Sequence, residues 1–400
     1  MRTAKFAFLA GGLMALFDGT RKFRKMSSRE IVVATLNHQP APRTARELIA
    51  SPTVAALRKD EVDEVERRYR QDFKRIAFPS LEWGLDYQNG QHSKYNDRQR
   101  KSKKWMSCNK SSKNWTSRTA LESFQLPYSA LEGKHWGKLN DVCEETYQFV
   151  LGESLTKPLG HLLELLGEEQ LTEMLLAGDR DTEALIEQLH QFHSEELLAW
   201  SNSSVDAVVI KDQLGGTNGA CRKIWQDTFI SHLAQYAQIL HSQDKFLFFQ
   251  TNEDVSEIFD ELVAVGVDAV IAPYRTTQLR QLLARHAGKV TFGVQHALEG
   301  TQKDLHTRIE EIREIFRHQQ GGVFTSIDWS NVVARADVKT AMHCWEEPLE
   351  WDGSLEWEEA SEGGLPSLWH GDIYEEEFAM AGSNQEVFAP FDTANNIKLK

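Results

Sequence analysis

The clearest order along the chain lies in its second half, where short unbroken apolar runs alternate with amphipathic stretches. Ala207-Val208-Val209-Ile210, Phe246-Leu247-Phe248-Phe249, Ala269-Val270-Ile271-Ala272, Val290-Thr291-Phe292-Gly293-Val294 and Gly322-Val323-Phe324-Thr325 are each four or five residues long. Between them, residues 223–242, 253–265, 276–287 and 302–318 repeat apolar positions at helical spacing. Apolar runs without polar alternation indicate strands covered on both faces, and a helix after each makes them parallel βα units. Upstream, the same reading gives helices over 28–37, 44–58 and 60–72. It also gives strands at 75–78 and 147–151, and a helical run over 155–198 broken at Gly167 and at Gly178-Asp179. Asp63–Arg67, Glu64–Arg68 and Glu66–Arg70 are expected to pair across one turn of helix 60–72. Seven or eight units over about 300 residues predict a (β/α)8 barrel with an N-terminal helical extension rather than an open sheet. No glycine-rich phosphate loop follows any strand, which removes the usual sign of a nucleotide-binding sheet.

A barrel concentrates function at the carboxyl ends of its strands. Those ends read Lys211-Asp212-Gln213, Gln250-Thr251-Asn252, Tyr274-Arg275, Gln295-His296 and Ser326-Ile327-Asp328. We expect Asp212, Gln250, Tyr274, His296 and Asp328 to share one rim. Asp212, beside a glycine-rich loop, is the first candidate to orient a cationic or N–H-bearing ligand, and His296 is the candidate proton-transfer group. Gln213, Asn218, Gln250, Asn252, Tyr274, Arg275 and Asp328 are the substrate-binding candidates. His190 and His193, with Glu195 and Glu196, have ligand-like spacing but lie in a charged helix, where a solvated face is the expectation.

Composition narrows the class. The 400 residues carry a net charge of −14, which argues against nucleic acid as a partner. The charge is uneven: residues 94–118 hold nine cations against Asp97 alone, and residues 346–377 hold twelve acids and no lysine or arginine. Both stretches are expected to be solvated, the first as a basic insertion or loop and residues 346–400 as a flexible acidic tail. The four cysteines stand far apart, indicating neither a disulfide framework nor a zinc finger, and fit a reducing, cytoplasmic setting. Residues 1–25 resemble a leader core too short to span a bilayer, so no membrane partner is expected. Met26, just before the helix cap at Ser28, is the expected natural start. The barrel is assigned to residues 26–345.

Several segments carry a resemblance. Ser27-Ser28-Arg29-Glu30-Ile31-Val32 through Leu36-Asn37-His38-Gln39 is similar to the "S-R-E-R-V-x-A-x-L-N-H-Q" opening of the uroporphyrinogen decarboxylase superfamily. Asp206-Ala207-Val208-Val209-Ile210-Lys211-Asp212-Gln213-Leu214-Gly215 through Gly219 resembles its "D-G-x-x-x-x-D-D-W-G-x-x-x-G" strand and loop. Asp254–Leu262 with Gly266-Val267-Asp268, and the glycine-led strand at Gly321, are similar to later blocks. The resemblance covers residues 26–345 and implies a barrel acting on a tetrapyrrole, or on methyl groups exchanged with a corrinoid protein partner. The departures carry information too. Where the methyltransferase branch has a zinc-binding "H-x-C", this chain has Gln250-Thr251-Asn252, so no zinc is expected at the strand ends and no cofactor is required by the sequence. The family's carboxylate-binding "R-Q-A-G-R" has no counterpart near the N-terminus, and "P-[ST]-H" after the last strand is replaced by Ser326-Ile327-Asp328. These losses keep open a barrel without catalysis that serves as a binding or regulatory protein.

Overall fold

The computed structural model describes residues 26–77, 136–214, 225–296, 301–317, 321–330 and 332–346, with residues 131, 223, 298 and 319 singly between them. The expectations for residues 1–25, for the basic stretch 94–118, for the tail beyond Glu346 and for Asn218 fall outside those residues.

Eight strands, β1 (Ala45–Ala50), β2 (Phe73–Ala77), β3 (Phe149–Glu153), β4 (Ala207–Lys211), β5 (Phe246–Gln250), β6 (Ala269–Ala272), β7 (Thr291–Gln295) and β8 (Val323–Trp329), form one sheet. Its order is β1-β8-β7-β6-β5-β4-β3-β2, and every ladder is parallel. This is the expected (β/α)8 barrel. The seam between β1 and β2 is stitched by Asp72, whose N–H donates to Arg46 O at 3.0 Å. Its carboxylate accepts from Arg46 N at 3.0 Å and Arg43 Nη2 at 2.6 Å. The first element among the described residues is α1 (Ser28–Leu36), capped by a reciprocal Ser27–Glu30 box. It closes the N-terminal end of the barrel. Arg29 donates to Cys143 O and Gln148 O, Gly322 N donates to Thr35 O, and Ile31, Val32, Ala34 and Leu36 join the apolar cluster inside the sheet. Gly321 sits at φ 74° against this helix exit, where a Cβ would meet Gln39 O at 2.8 Å.

Residues 44–58 are not one helix: they hold strand β1, then α2 (Pro52–Leu57), with α3 (Lys59–Arg68) following. The charges Arg46 and Glu47 imitate an exposed helix, yet both are buried. On α3, Asp63 pairs with Lys59, while Glu64 reaches away to Arg335 and Lys339. Among the described residues the remaining helices are α4 (Trp136–Glu145), α5 (Pro158–Leu166), α6 (Glu168–Leu176), α7 (Arg180–Ser201), α8 (Ile230–His241) after a π-turn at Trp225–Phe229, α9 (Phe259–Ala264), α10 (Thr276–His286), α11 (Gln302–Phe316) and α12 (Arg335–Cys344). Among the described residues no helix is long and apolar enough to cross a membrane.

Alternation along each strand sorts the core in two. Val208, Ile210, Leu247, Phe249, Val270 and Phe292 join the helix layer. Phe73, Phe149, Leu151, Val209, Phe248, Ile271 and Phe324 fill the lumen. Phe73, Phe149, Phe248 and Phe324 form its floor, with ring centroids 4.9–6.4 Å apart. Gly293 is part of that fit, because a Cβ there would lie 2.6 Å from Ile271 Cγ1 and 2.7 Å from Phe324 Cζ.

Candidate functional site

Above the phenylalanine floor, the next lumen-facing residue on most strands is polar, and these residues bond to one another. Arg75 on β2 donates to Glu47 on β1 through Nε (2.6 Å) and Nη2 (2.8 Å). Its Nη1 reaches Gln250 Oε1 on β5 at 2.9 Å and Glu153 Oε1 on β3 at 3.3 Å. Lys211 Nζ on β4 lies 2.5 Å from the same Glu153 oxygen. Ser326 on β8 donates to Glu47 Oε2 at 3.1 Å. Six strands thus contribute to one ion-paired layer at the carboxyl end of the barrel, where activity in this fold is found. Glu47 is closed off at 2% side-chain exposure, while Lys211, at 29%, opens toward the mouth.

The electrostatics follow from the pairing. Burial opposes ionisation of Glu153, but Lys211 and Arg75 outweigh it and bring its pKa down to about 2. Burial also opposes the Arg75 charge, and Glu47 and Glu153 more than restore it. For Lys211 burial prevails: its pKa lies below the ordinary lysine value, with Glu153 acting against the shift and Arg75 adding to it. The pKa of Asp328 on β8 lies above the ordinary aspartate value because burial of its carboxyl outweighs the opposing pull of Lys211 and Arg75, which places it within electrostatic reach of the layer.

The residues singled out from the sequence do not share one rim. Gln250 lies in the layer, and Asp328 stands beside it. Asn252 is exposed and accepts from Gln295 Nε2 at 3.0 Å. Gln213 and Arg275 are exposed. Asp212, Tyr274 and His296 turn the other way, into the helix layer. The Asp212 carboxylate accepts from Leu159 N (3.1 Å), Gly160 N (2.8 Å) and Trp225 Nε1 (3.3 Å), and so holds the N-terminus of α5. Burial lifts its pKa to about 6 against those bonds. Tyr274 donates to Val270 O and packs on Phe259 and Phe292. His296 accepts from the Trp345 indole at 2.9 Å, and burial, with Arg308 adding, lowers its pKa to about 3. The physical reason is strand parity: Lys211 and Asp212 are consecutive, so only one of them can face the lumen.

One further expectation changes. The helix carrying His190 and His193 is not a solvated face at these positions. His193 is 1% exposed and meets His161 at 3.2 Å, and Glu196 is fully buried, accepting from Ser154, Leu155, Thr156 and Trp200. Sequence reasoning also passed over Glu47, Arg75 and Glu153. The signal that could have found them is a charged residue at an inward position two residues beyond an apolar inward one, as in Leu151-Gly152-Glu153.

Neither a family model nor a curated protein matches this sequence. Solved structures do. A methyltransferase from Methanosarcina mazei superposes with a TM-score of 0.55 at 11% identity, covering 80% of this chain and 99% of that one. A Podospora anserina GH26-CBM35 β-(1,4)-mannanase aligns at 9% identity over 84% of this chain and 69% of that one, with a TM-score of 0.40, too low to carry an inference. At such identities the likeness to the methyltransferase is one of fold.

Proposed function

We propose that this chain is an enzyme of the uroporphyrinogen decarboxylase superfamily, of its methyltransferase-like branch. It takes a small methylated compound at the carboxyl-end mouth of the barrel. The observation that carries this reading is the layer formed by Glu47, Arg75, Glu153, Lys211 and Gln250. The sequence blocks and the fold shared with a methyltransferase support it. With Asp328, three carboxylates meet two cations, so the mouth has an excess of one negative charge. That balance favours a ligand with a cationic or N–H group and disfavours a tetrapyrrole bearing many carboxylates, which needs fixed cationic partners. Arg75 is engaged by Glu47 and Glu153 and offers no spare fork to a substrate carboxylate.

Within this reading each group has a task. Gln250 and Asp328 orient the polar end of the ligand. Lys211, with its lowered pKa and partial exposure, gives a proton to the neutral amine nitrogen or ether oxygen as its bond to the methyl group breaks, so that the rest of the ligand leaves uncharged, and Glu153 holds the ammonium in place. A corrinoid on a partner protein would supply the methyl carrier. Zinc at the strand ends does not fit, since the amides of Gln250 and Asn252 cannot replace imidazole and thiolate.

The test combines a ligand panel with Lys211→Met. Methylated amines should bind the full chain, and Lys211→Met should lower methyl transfer to an added corrinoid by about 100-fold or more while changing binding little. Efficient decarboxylation of uroporphyrinogen would overturn the reading. Binding without turnover in the unaltered chain would favour the regulatory barrel instead.

A further inference from the structure

One convergence of ligand-type side chains lies outside the lumen and has no part in the site above. On α11, His306 and Glu310 stand four residues apart and therefore share a face. Cys344 ends α12, which packs beside α11. A ring nitrogen of His306, a carboxylate oxygen of Glu310 and the Cys344 sulfur all lie within 4.8 Å of one another. We propose that these three side chains bind a divalent ion of the zinc class, which fastens the end of α12 to α11.

The donor set argues for the metal. Imidazole, carboxylate and thiolate together suit zinc, whereas calcium and magnesium take oxygen donors and avoid sulfur. Bond lengths of about 2.0–2.3 Å place tetrahedral ligands roughly 3.3–3.8 Å apart, so these atoms need to close by only about one ångström. Side-chain rotation supplies that, because His306 is exposed and Glu310 is half-buried. Arg313 Nη1, 2.9 Å from Glu310 Oε1, orients the carboxylate from within the same helix. Cys344 is buried at 4% exposure, so the ion would have its thiolate on the protein side and an open position on the solvent side for water.

The location gives the ion something to do. Trp345 follows Cys344 directly, and its indole donates to His296 at the end of β7. A metal at Cys344 would therefore fix the turn that carries Trp345 and steady His296 in the helix layer behind the end of β7. It is a structural clamp, separate from the Gln250 and Asn252 positions where the resemblance locates a zinc site, and it does not depend on the proposed reaction.

The experiment uses the full chain, stripped by chelator and given zinc or cobalt(II) alone. Metal analysis after dialysis should find one zinc per chain, and the cobalt form should show a thiolate-to-cobalt charge-transfer band in the near ultraviolet. His306→Ala, at an exposed position that packing does not need, and Cys344→Ser should each weaken metal binding by more than about tenfold. Zinc should also slow alkylation of Cys344 in the unaltered chain and not in His306→Ala. The proposal fails if the stripped chain takes up no zinc, if cobalt binds without the thiolate band, or if both variants retain the metal undiminished.

Discussion

Lys211 and Asp212 are neighbours at the end of β4, and the barrel wall separates them. On the lumen side, Lys211 meets Glu153, and every ionised group has an opposite charge within reach. On the helix side, Asp212, His296, His161 and His193 are buried with few or no countercharges. The result is two electrostatic regimes only a peptide bond apart. Glu153 is held ionised, with its pKa near 2, while Asp212 is pushed up to about 6 and His161 and His296 down to about 3. Burial alone drives a group toward neutrality; burial with a partner preserves its charge. The lumen is thus the side that keeps reactive charge at neutral pH. The helix side uses its polar groups to hold elements together, as Asp212 does for α5 and Glu196 for the segment Ser154–Thr156.

The comparison can be broken most severely at Arg75. Arg75→Met leaves Glu47 and Glu153 buried without their shared cation, and should lower stability by about 3–5 kcal/mol, measured by urea unfolding at pH 7. Gln250 then loses its donor as well, so ligand binding should fall in parallel.

A second prediction tests the helix-side regime by pH, through an acid and a base that burial shifts in opposite directions. The folded pKa of Asp212, near 6, exceeds its unfolded value, so its contribution is fully present below about pH 4 and is lost as pH rises through 6. Asp212→Asn removes that dependence. Relative to the unaltered chain, the variant should therefore gain about 2–3 kcal/mol between pH 4 and pH 7. His161 has the opposite sign: its folded pKa lies below the unfolded one, so its contribution is present above about pH 6.5 and is lost as pH falls toward 3. His161→Gln should flatten the acid limb of the stability curve. Parallel pH profiles for the two variants would refute burial as what sets the helix-side groups.

A smaller effect is expected beneath the ionised layer. Gly293→Ala inserts a methyl group against Ile271 and Phe324, and should cost about 1–3 kcal/mol in thermal or denaturant unfolding. A neutral result would mean that the floor is looser than its geometry implies.

The barrel was readable because β4 to β8 are unbroken apolar runs, each followed by an amphipathic helix. The first strand was not, for a physical reason. Ala45–Ala50 contains Arg46 and Glu47, and local patterning assigns charges to solvent, whereas here Glu47 is neutralised by Arg75 from another strand. The same blindness hid Glu153, whose partners Arg75 and Lys211 lie 78 and 58 positions away. Gln250 was found because it directly ends a recognisable run, Phe246–Phe249. Asp212 stood out for its loop and family-like context, but which of two consecutive strand-end residues faces the lumen depends on parity, and parity required the register with β3 and β5. His193 and Glu196 read as a wet helix face because their partners, His161 and the Ser154–Thr156 segment, lie more than thirty positions upstream.

The most direct test is a carboxyl-carbon NMR titration of protein labelled at aspartate and glutamate side chains, with Glu153→Gln and Asp212→Asn supplying the assignments. The account predicts that Glu153 stays ionised down to about pH 2 and that Asp212 titrates near pH 6. If Glu153 took up its proton near pH 6, or Asp212 titrated with the exposed carboxylates near pH 4, the lumen would not be the charge-preserving side of this barrel.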